Sequence, residues 1–153
     1  MSIKGKLSAL GLTLPTAAAP VAAYVPAVKS GNLVFTAGQL PVIDGKLVKE
    51  GKVGREVTAE DAKELAQICA LNALAAISLV AELDQIERVV RVGGFVNCAP
   101  GFTAIPGVVN GASEFLIKVF GDVNGKHART AVGVAELPLN APVEIEMVVK
   151  LKN

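Results

Sequence analysis

The chain has no tryptophan, a single tyrosine (Tyr24) and a single histidine (His127) in 153 residues. It therefore offers no aromatic platform for stacking bases and no pair of histidines for acid–base cleavage of RNA. Neither sign of charge is in excess, with 15 lysines and arginines against 14 acidic residues. A surface that gathers phosphates by counterion release is not expected, so nucleic acid is set aside as a partner. Cysteine is scarce as well: Cys69 and Cys98 stand apart, with no Cys-x-x-Cys and no histidine cluster. This argues against a structural zinc site or a disulfide framework and leaves a reducing cytoplasm as the expected location. Cys69 falls in an apolar helical pattern, whereas Cys98 follows a strand in a Pro/Gly loop with no nearby cation to lower its thiol pKa, so neither is expected to be reactive. No apolar run reaches the roughly 18 residues a membrane span needs. The nearest imitation of a secretory signal, Lys4 and Lys6 ahead of residues 7–14 and Ala17 to Ala19, is interrupted by Gly11, Thr13 and Pro15. That segment is read as a retained part of the chain.

What is present is a large supply of apolar side chains, 52% of the sequence, enough for one domain spanning 1–153 with a substantial core. Short apolar runs at 24–28 and 33–37 flank Lys29-Ser30-Gly31-Asn32, a hairpin turn, and Pro26 makes the first run an edge or irregular strand. After Pro41 a glycine-punctuated connection through Asp44-Gly45, Gly51 and Gly54 reads as loop with at most one short extended piece. Thr58 is a helix N-cap followed by Glu60 and Asp61, and apolar residues then recur at helical spacing to about residue 83. Residues 88–97 favour a strand, 98–107 a loop, and 108–120 a second helix closed by Gly121. Two last strands, 130–136 and 142–151, complete a ββαβαββ order. The final one alternates strictly, Val143, Ile145, Met147, Val149 and Leu151 against Glu144, Glu146, Val148 and Lys150.

Strands joined by hairpins at both ends of the chain, with two helices between them, give an α+β fold with both helices on one sheet face. The other face carries small and apolar residues, as at 132–135, and is expected to meet another subunit.

The chemistry concentrates in Ala128-Arg129-Thr130-Ala131-Val132, running to Leu137-Pro138, and in Val143-Glu144-Ile145-Glu146. Arg129 supplies a planar, permanently charged fork suited to a carboxylate. Glu144, on the following strand, is expected to neighbour Arg129 across a ladder and orient its guanidinium. Together with Tyr24 and the stretch Leu33-Val34-Phe35-Thr36-Ala37-Gly38-Gln39-Leu40-Pro41, this pattern resembles the reactive intermediate deaminase (Rid, YjgF-type) family, some of whose members carry endoribonuclease L-PSP-like names. The resemblance runs from about Ala19 to the C-terminus. It implies a chorismate-mutase-like subunit with a mixed sheet, assembled as a homotrimer with one site in each inter-subunit cleft. It also implies hydrolysis of small 2-imino or enamine acids to 2-keto acids and ammonia. Residue by residue, Arg129 matches the substrate-binding arginine, Glu144 its catalytic partner, Tyr24 the tyrosine on the opening strand and Asn110 the asparagine at the start of the second helix. Backbone groups at Ala37, Gly38 and Ala131 are further substrate or water contacts.

Water attacking an electrophilic iminium carbon needs a carboxylate fork, a polar contact for the water and exclusion of bulk solvent, so neither metal nor cofactor is expected. Two departures bear on rate: Ala37 stands where many deaminating members carry serine, and Ala131 where cysteine is common. The chain is also longer than typical members, at its start and around Pro100 to Pro106. His127 is read as a solvated turn residue, Glu146 as a structural or interface carboxylate, and Gly93-Gly94 as a bulge or close-packing site. The rival functions are a non-catalytic trimer that binds small carboxylates and, with least support, an endoribonuclease or translation inhibitor.

Overall fold

The computed structural model describes residues 1–20 and 22–153. A five-stranded sheet is built from β1 (Ala27–Ser30), β2 (Leu33–Thr36), β5 (Ile86–Asn97), β6 (Ala128–Val134) and β7 (Val143–Leu151). Its spatial order is β1-β2-β7-β5-β6. Helices α2 (Ala59–Ile77) and α3 (Ile105–Gly125) pack on it, and their apolar residues share one core with Val34, Val92, Ile145 and Val149 from the sheet. The fold is thus the mixed-sheet, chorismate-mutase-like α+β subunit expected, with the ββαβαββ order preserved.

Local chemistry accounts for the elements. Gly31 takes the positive φ, 59°, that mirror-image hairpin turns require between β1 and β2. Thr58 Oγ1 caps α2 by accepting from Asp61 N at 3.1 Å. That helix stops at Ile77, short of the expected end, because residues 78–81 tighten into turns although their apolar pattern continues. Helix α3 begins earlier than the sequence suggests: Pro106, read as loop, occupies the first turn, where a missing N–H costs nothing. Gly121 does interrupt α3, with φ 84° and ψ 168°, and one further turn follows to Gly125.

Two additions lie outside the expected order. Helix α1 (Ile3–Ala9) is capped by Ser2 and buries Ile3 and Leu7, so the signal-like segment belongs to the core. Between β2 and α2, β3 (Val42–Ile43) and β4 (Lys46–Leu47) form a small ribbon around Asp44-Gly45, both at positive φ.

One expectation is overturned. The β6–β7 connection is not a hairpin, because β5 lies between the two strands, pairing parallel with β6 and antiparallel with β7. The link between β5 and β6 is α3, the crossover that a parallel pair needs.

Gly93 and Gly94 sit at regular register positions of β5, so the bulge reading fails there, and the irregularities fall earlier, between Ile86 and Arg91. Close packing is the reason for both: a Cβ on Gly94 would meet Val109 of α3, and one on Gly93 would meet Glu146. Among the described residues no helix is long and apolar enough to cross a membrane.

Candidate functional site

Arg129 lies beside Val92 in the β5–β6 ladder, and Val92 is fully buried beneath the helices. Neighbours in register share a face, so the arginine points toward α3 at the outer edge of the sheet. Its Nη1 donates to Asn110 Oδ1 at 2.8 Å and to Ser113 Oγ at 3.2 Å, and its Nη2 to the Pro106 carbonyl at 3.4 Å. All three acceptors are neutral. Among the described residues no carboxylate lies within ion-pair distance of Arg129, and its Nε has no hydrogen-bond partner. The guanidinium is oriented on one side and left with its charge and a free edge on the other.

Glu144 is not part of this arrangement, which corrects the expected ladder pair. It pairs in register with Phe95, on the face of β7 opposite the buried Val143 and Ile145. Arg129 and Glu144 of one chain therefore sit on opposite faces of the sheet with β5 between their strands. The separation follows from the crossover, which carries β6 to the outside of β5.

Glu144 instead joins the other predicted residues. Its carboxylate lies over Gly38, close enough that a Cβ there would displace it. Gly38 and Tyr24 line a cavity of about 320 Å³ together with Pro26, Gln39, Leu40 and Leu139. The β2–β7 ladder is open at this point: Thr36 Oγ1 replaces a backbone acceptor for Met147 N at 3.0 Å, and pairing resumes at Gln39 with Ile145. Ala37 has both backbone groups occupied, its N–H by the Pro26 carbonyl and its carbonyl by Gln39 Nε2. Burial, and then the negative charge of Glu146, hold the Glu144 carboxyl above its ordinary range. A carboxylate so placed accepts a proton more readily than a solvated one.

Two residues of the arginine's surroundings escaped sequence reasoning or were misjudged. Ser113 went unnoticed, although it lies three residues from Asn110, the spacing that puts both on one face of α3. His127 is not a solvated turn residue. It is half-buried, with Nε2 2.9 Å from Ser113 Oγ and Nδ1 2.6 Å from the Gly125 carbonyl. Burial, with the charge of Arg129 adding, lowers its pKa against the opposing Gly125 bond. Arg129, His127 and Ser113 line a cavity of about 330 Å³ with Ile117 and Lys126. Ala131, two residues beyond Arg129 on the same face, is half-buried against the core.

One chain thus holds the expected residues in two separate groups: Arg129, Asn110 and Ser113 at the β6 edge, and Tyr24, Gly38 and Glu144 on and beside the β2–β7 part of the sheet. Strands β2 and β6 are three spacings apart, about 14 Å.

The sequence matches, over residues 4–151, the model of the family described as "YjgF/chorismate mutase-like, putative endoribonuclease". Protein TCP17 of Trypanosoma cruzi is 41% identical over 99% of this chain and 95% of its own length. The 2-iminobutanoate/2-iminopropanoate deaminase of Dermatophagoides farinae is 33% identical over 92% of this chain and 95% of its own. Among solved structures, protein Atu1372 of Agrobacterium tumefaciens is 44% identical, with a TM-score of 0.88 over 98% of this chain and 92% of that one.

Proposed function

The chain belongs to the YjgF-type, reactive intermediate deaminase family, and from that premise we propose that it hydrolyses small 2-imino and enamine acids to 2-keto acids and ammonia, without a cofactor, in clefts shared by the subunits of a homotrimer. Arg129 carries this reading: fixed by Asn110, Ser113 and the Pro106 carbonyl and opposed by no carboxylate, it offers a free guanidinium edge to an incoming acid. Arg129 and Glu144 face opposite sides of one chain's sheet, so they do not converge within it, and a neighbouring copy would bring Tyr24, Gly38 and Glu144 opposite Arg129.

In this mechanism Arg129 holds the carboxylate of the iminium acid and Tyr24 closes the cavity over it. Water adds to C2 while Glu144 takes its proton, forming a carbinolamine. Glu144 returns that proton to the amine nitrogen. The C–N bond breaks as the hydroxyl oxygen forms the carbonyl, and its proton leaves with ammonia as ammonium. The free thiols Cys69 and Cys98 suit a reducing cytoplasm, where we place the protein.

A second reading, a non-catalytic trimer that binds small carboxylates, is favoured by Ala37 and Ala131, which withhold a hydroxyl and a thiol from the site. RNA cleavage has less support, since the one histidine is engaged by Gly125 and Ser113. The test is to generate 2-iminopropanoate or 2-iminobutanoate in situ with an amino-acid oxidase and follow its loss against the uncatalysed rate. Acceleration is expected. No acceleration, combined with saturable binding of 2-oxobutanoate, would select the second reading.

A further inference from the structure

Helix α3 does not end plainly at Gly121. The chain makes one more turn and packs back on itself, so that a Cβ on Gly125 would lie 2.6 Å from Ile117 Cα and 2.8 Å from the Leu116 carbonyl oxygen. Only glycine fits, and the hook holds the Gly125 carbonyl fixed against the body of the helix. That carbonyl can only accept, so His127 Nδ1, 2.6 Å away, carries the imidazole proton. Nε2 is then left as an acceptor, 2.9 Å from Ser113 Oγ. The serine hydroxyl donates to Nε2, and its oxygen lone pairs face Arg129 Nη1 at 3.2 Å. Donation therefore runs one way, from the guanidinium through hydroxyl and imidazole to the fixed carbonyl.

We propose that His127 is a positioning residue of the Arg129 site: acting through Ser113, the neutral imidazole fixes the guanidinium edge offered to a carboxylate, and protonation of the imidazole releases it. The proposal rests on the reading that Arg129 binds the substrate carboxylate. In the imidazolium both ring nitrogens donate, so Ser113 Oγ receives two donors and must turn its own hydrogen away. A second cation then also stands beside Arg129. The charged groups facing the imidazole are Arg129 from β6 and Lys126 from the connecting turn, the latter paired with Asp122 at 2.8 Å. Helix α3 contributes Ser113 and Ile117 to the same cavity, and Arg88 of β5 reaches only the Lys126 carbonyl, at 3.4 Å. Nothing negative on these elements is free to offset the new charge, and burial of the ring favours the neutral form that the relay needs.

The test uses the full-length protein and 2-oxobutanoate as probe, with affinities measured at about pH 5 and 7.5, the lower set well under an ordinary histidine pKa because burial lowers this one. Wild type is expected to bind roughly tenfold more weakly at the lower pH, the scale of one hydrogen bond to a charged group. His127→Gln keeps an acceptor where Nε2 stands but does not titrate, so its affinity should be close to wild type at the higher pH and flat between the two. His127→Ala should be weak at both. An equal pH dependence in wild type and His127→Gln would overturn the proposal. If wild type binds no 2-oxobutanoate at either pH, the carboxylate reading of Arg129 fails, and the relay is judged by nitrogen-15 NMR of the guanidinium. Resolved Nη signals at the higher pH that average at the lower one, in wild type but not in His127→Gln, would uphold it. Signals unchanged across the titration would refute it.

Discussion

Arg129 is held by three neutral acceptors where a structural arginine would be expected to meet a carboxylate, and this leaves its charge available. If that charge also positions the transition state, Arg129→Ala should lower imine hydrolysis about 10²-fold, roughly 3 kcal/mol, comparable to losing one preorganised donor. Arg129→Lys should recover only part of it, because an ammonium lacks the planar fork. Steady-state rates on the in situ imine decide both, and equal activity in a correctly folded Arg129→Ala protein would end the mechanism. Glu144 makes a different demand. A carboxyl whose folded-state pKa lies above its unfolded value, near 4.5, stabilises the fold below that value, and the contribution is lost as pH rises through the folded-state pKa. At neutral pH the ionised Glu144 is therefore a liability, half-buried beside Glu146. Glu144→Gln is expected to raise the melting temperature at pH 7 and flatten its decline above pH 4.5, while cutting hydrolysis about 10²-fold as a lost general base would. Thermal denaturation across pH, run beside the assay, tests the trade; a melting temperature that falls at pH 7 would contradict it.

At the scale of elements, α2 and α3 approach closely because small residues line their contact. Ala62, Ala66 and Ala70 are fully buried on α2, and Gly111 of α3 lies against the Lys63 carbonyl so tightly that a Cβ would overlap it. The obstacle is backbone rather than a movable side chain. Gly111→Ala should therefore cost about 1–3 kcal/mol by forcing the helices apart, despite alanine's better helix propensity. Urea denaturation measures this directly, and an unchanged midpoint would show that the helices shift freely. Asn110 and Ser113 flank that contact, so the same variant should also weaken acid binding at Arg129. Most elements were legible because each carries its own signal: Thr58 as a cap, Gly31 as a turn, the alternation of β7. The start of α3 was not, since proline signals a loop and a first helical turn equally well.

For the whole molecule, the unoccupied sheet face is the decisive surface. Val28, Phe35 and Val132 are 51%, 44% and 40% exposed on the sheet face turned away from the helices, and Phe95 and Val148 lie among them. Glu144, Glu146 and Arg91 share this face, and exposed apolar side chains set among charged ones suit an interaction site. Sedimentation is expected to give three times the 15.7 kDa of the chain. Phe35→Asp and Val132→Asp should yield monomers that keep their helical circular dichroism but lose hydrolysis, because a cleft shared between subunits disappears with the assembly. A wild-type monomer persisting at high micromolar concentration would exclude the shared site. Active monomeric variants would exclude it equally.

The sequence alone determined the main strands and the two long helices and which side of β7 is buried, because periodicity and residue type act locally, whereas α1 and the β3–β4 ribbon escaped it. It brought Asn110 into the same functional set as Arg129, and the structure joins them at 2.8 Å. The order of strands had no such local signature. Eight residues with two prolines between β6 and β7 look like the link of a hairpin, yet α3 carries β6 outside β5 and leaves β7 in the middle of the sheet. Burial decides this: β7, apolar on one side along its whole length, gains most between two strands and under α2, while β6, with half-buried and exposed residues throughout, suits an edge. That choice places Arg129 and Glu144 on opposite faces, brings the imidazole of His127 to Ser113, and divides the candidate site between the two sides of the molecule.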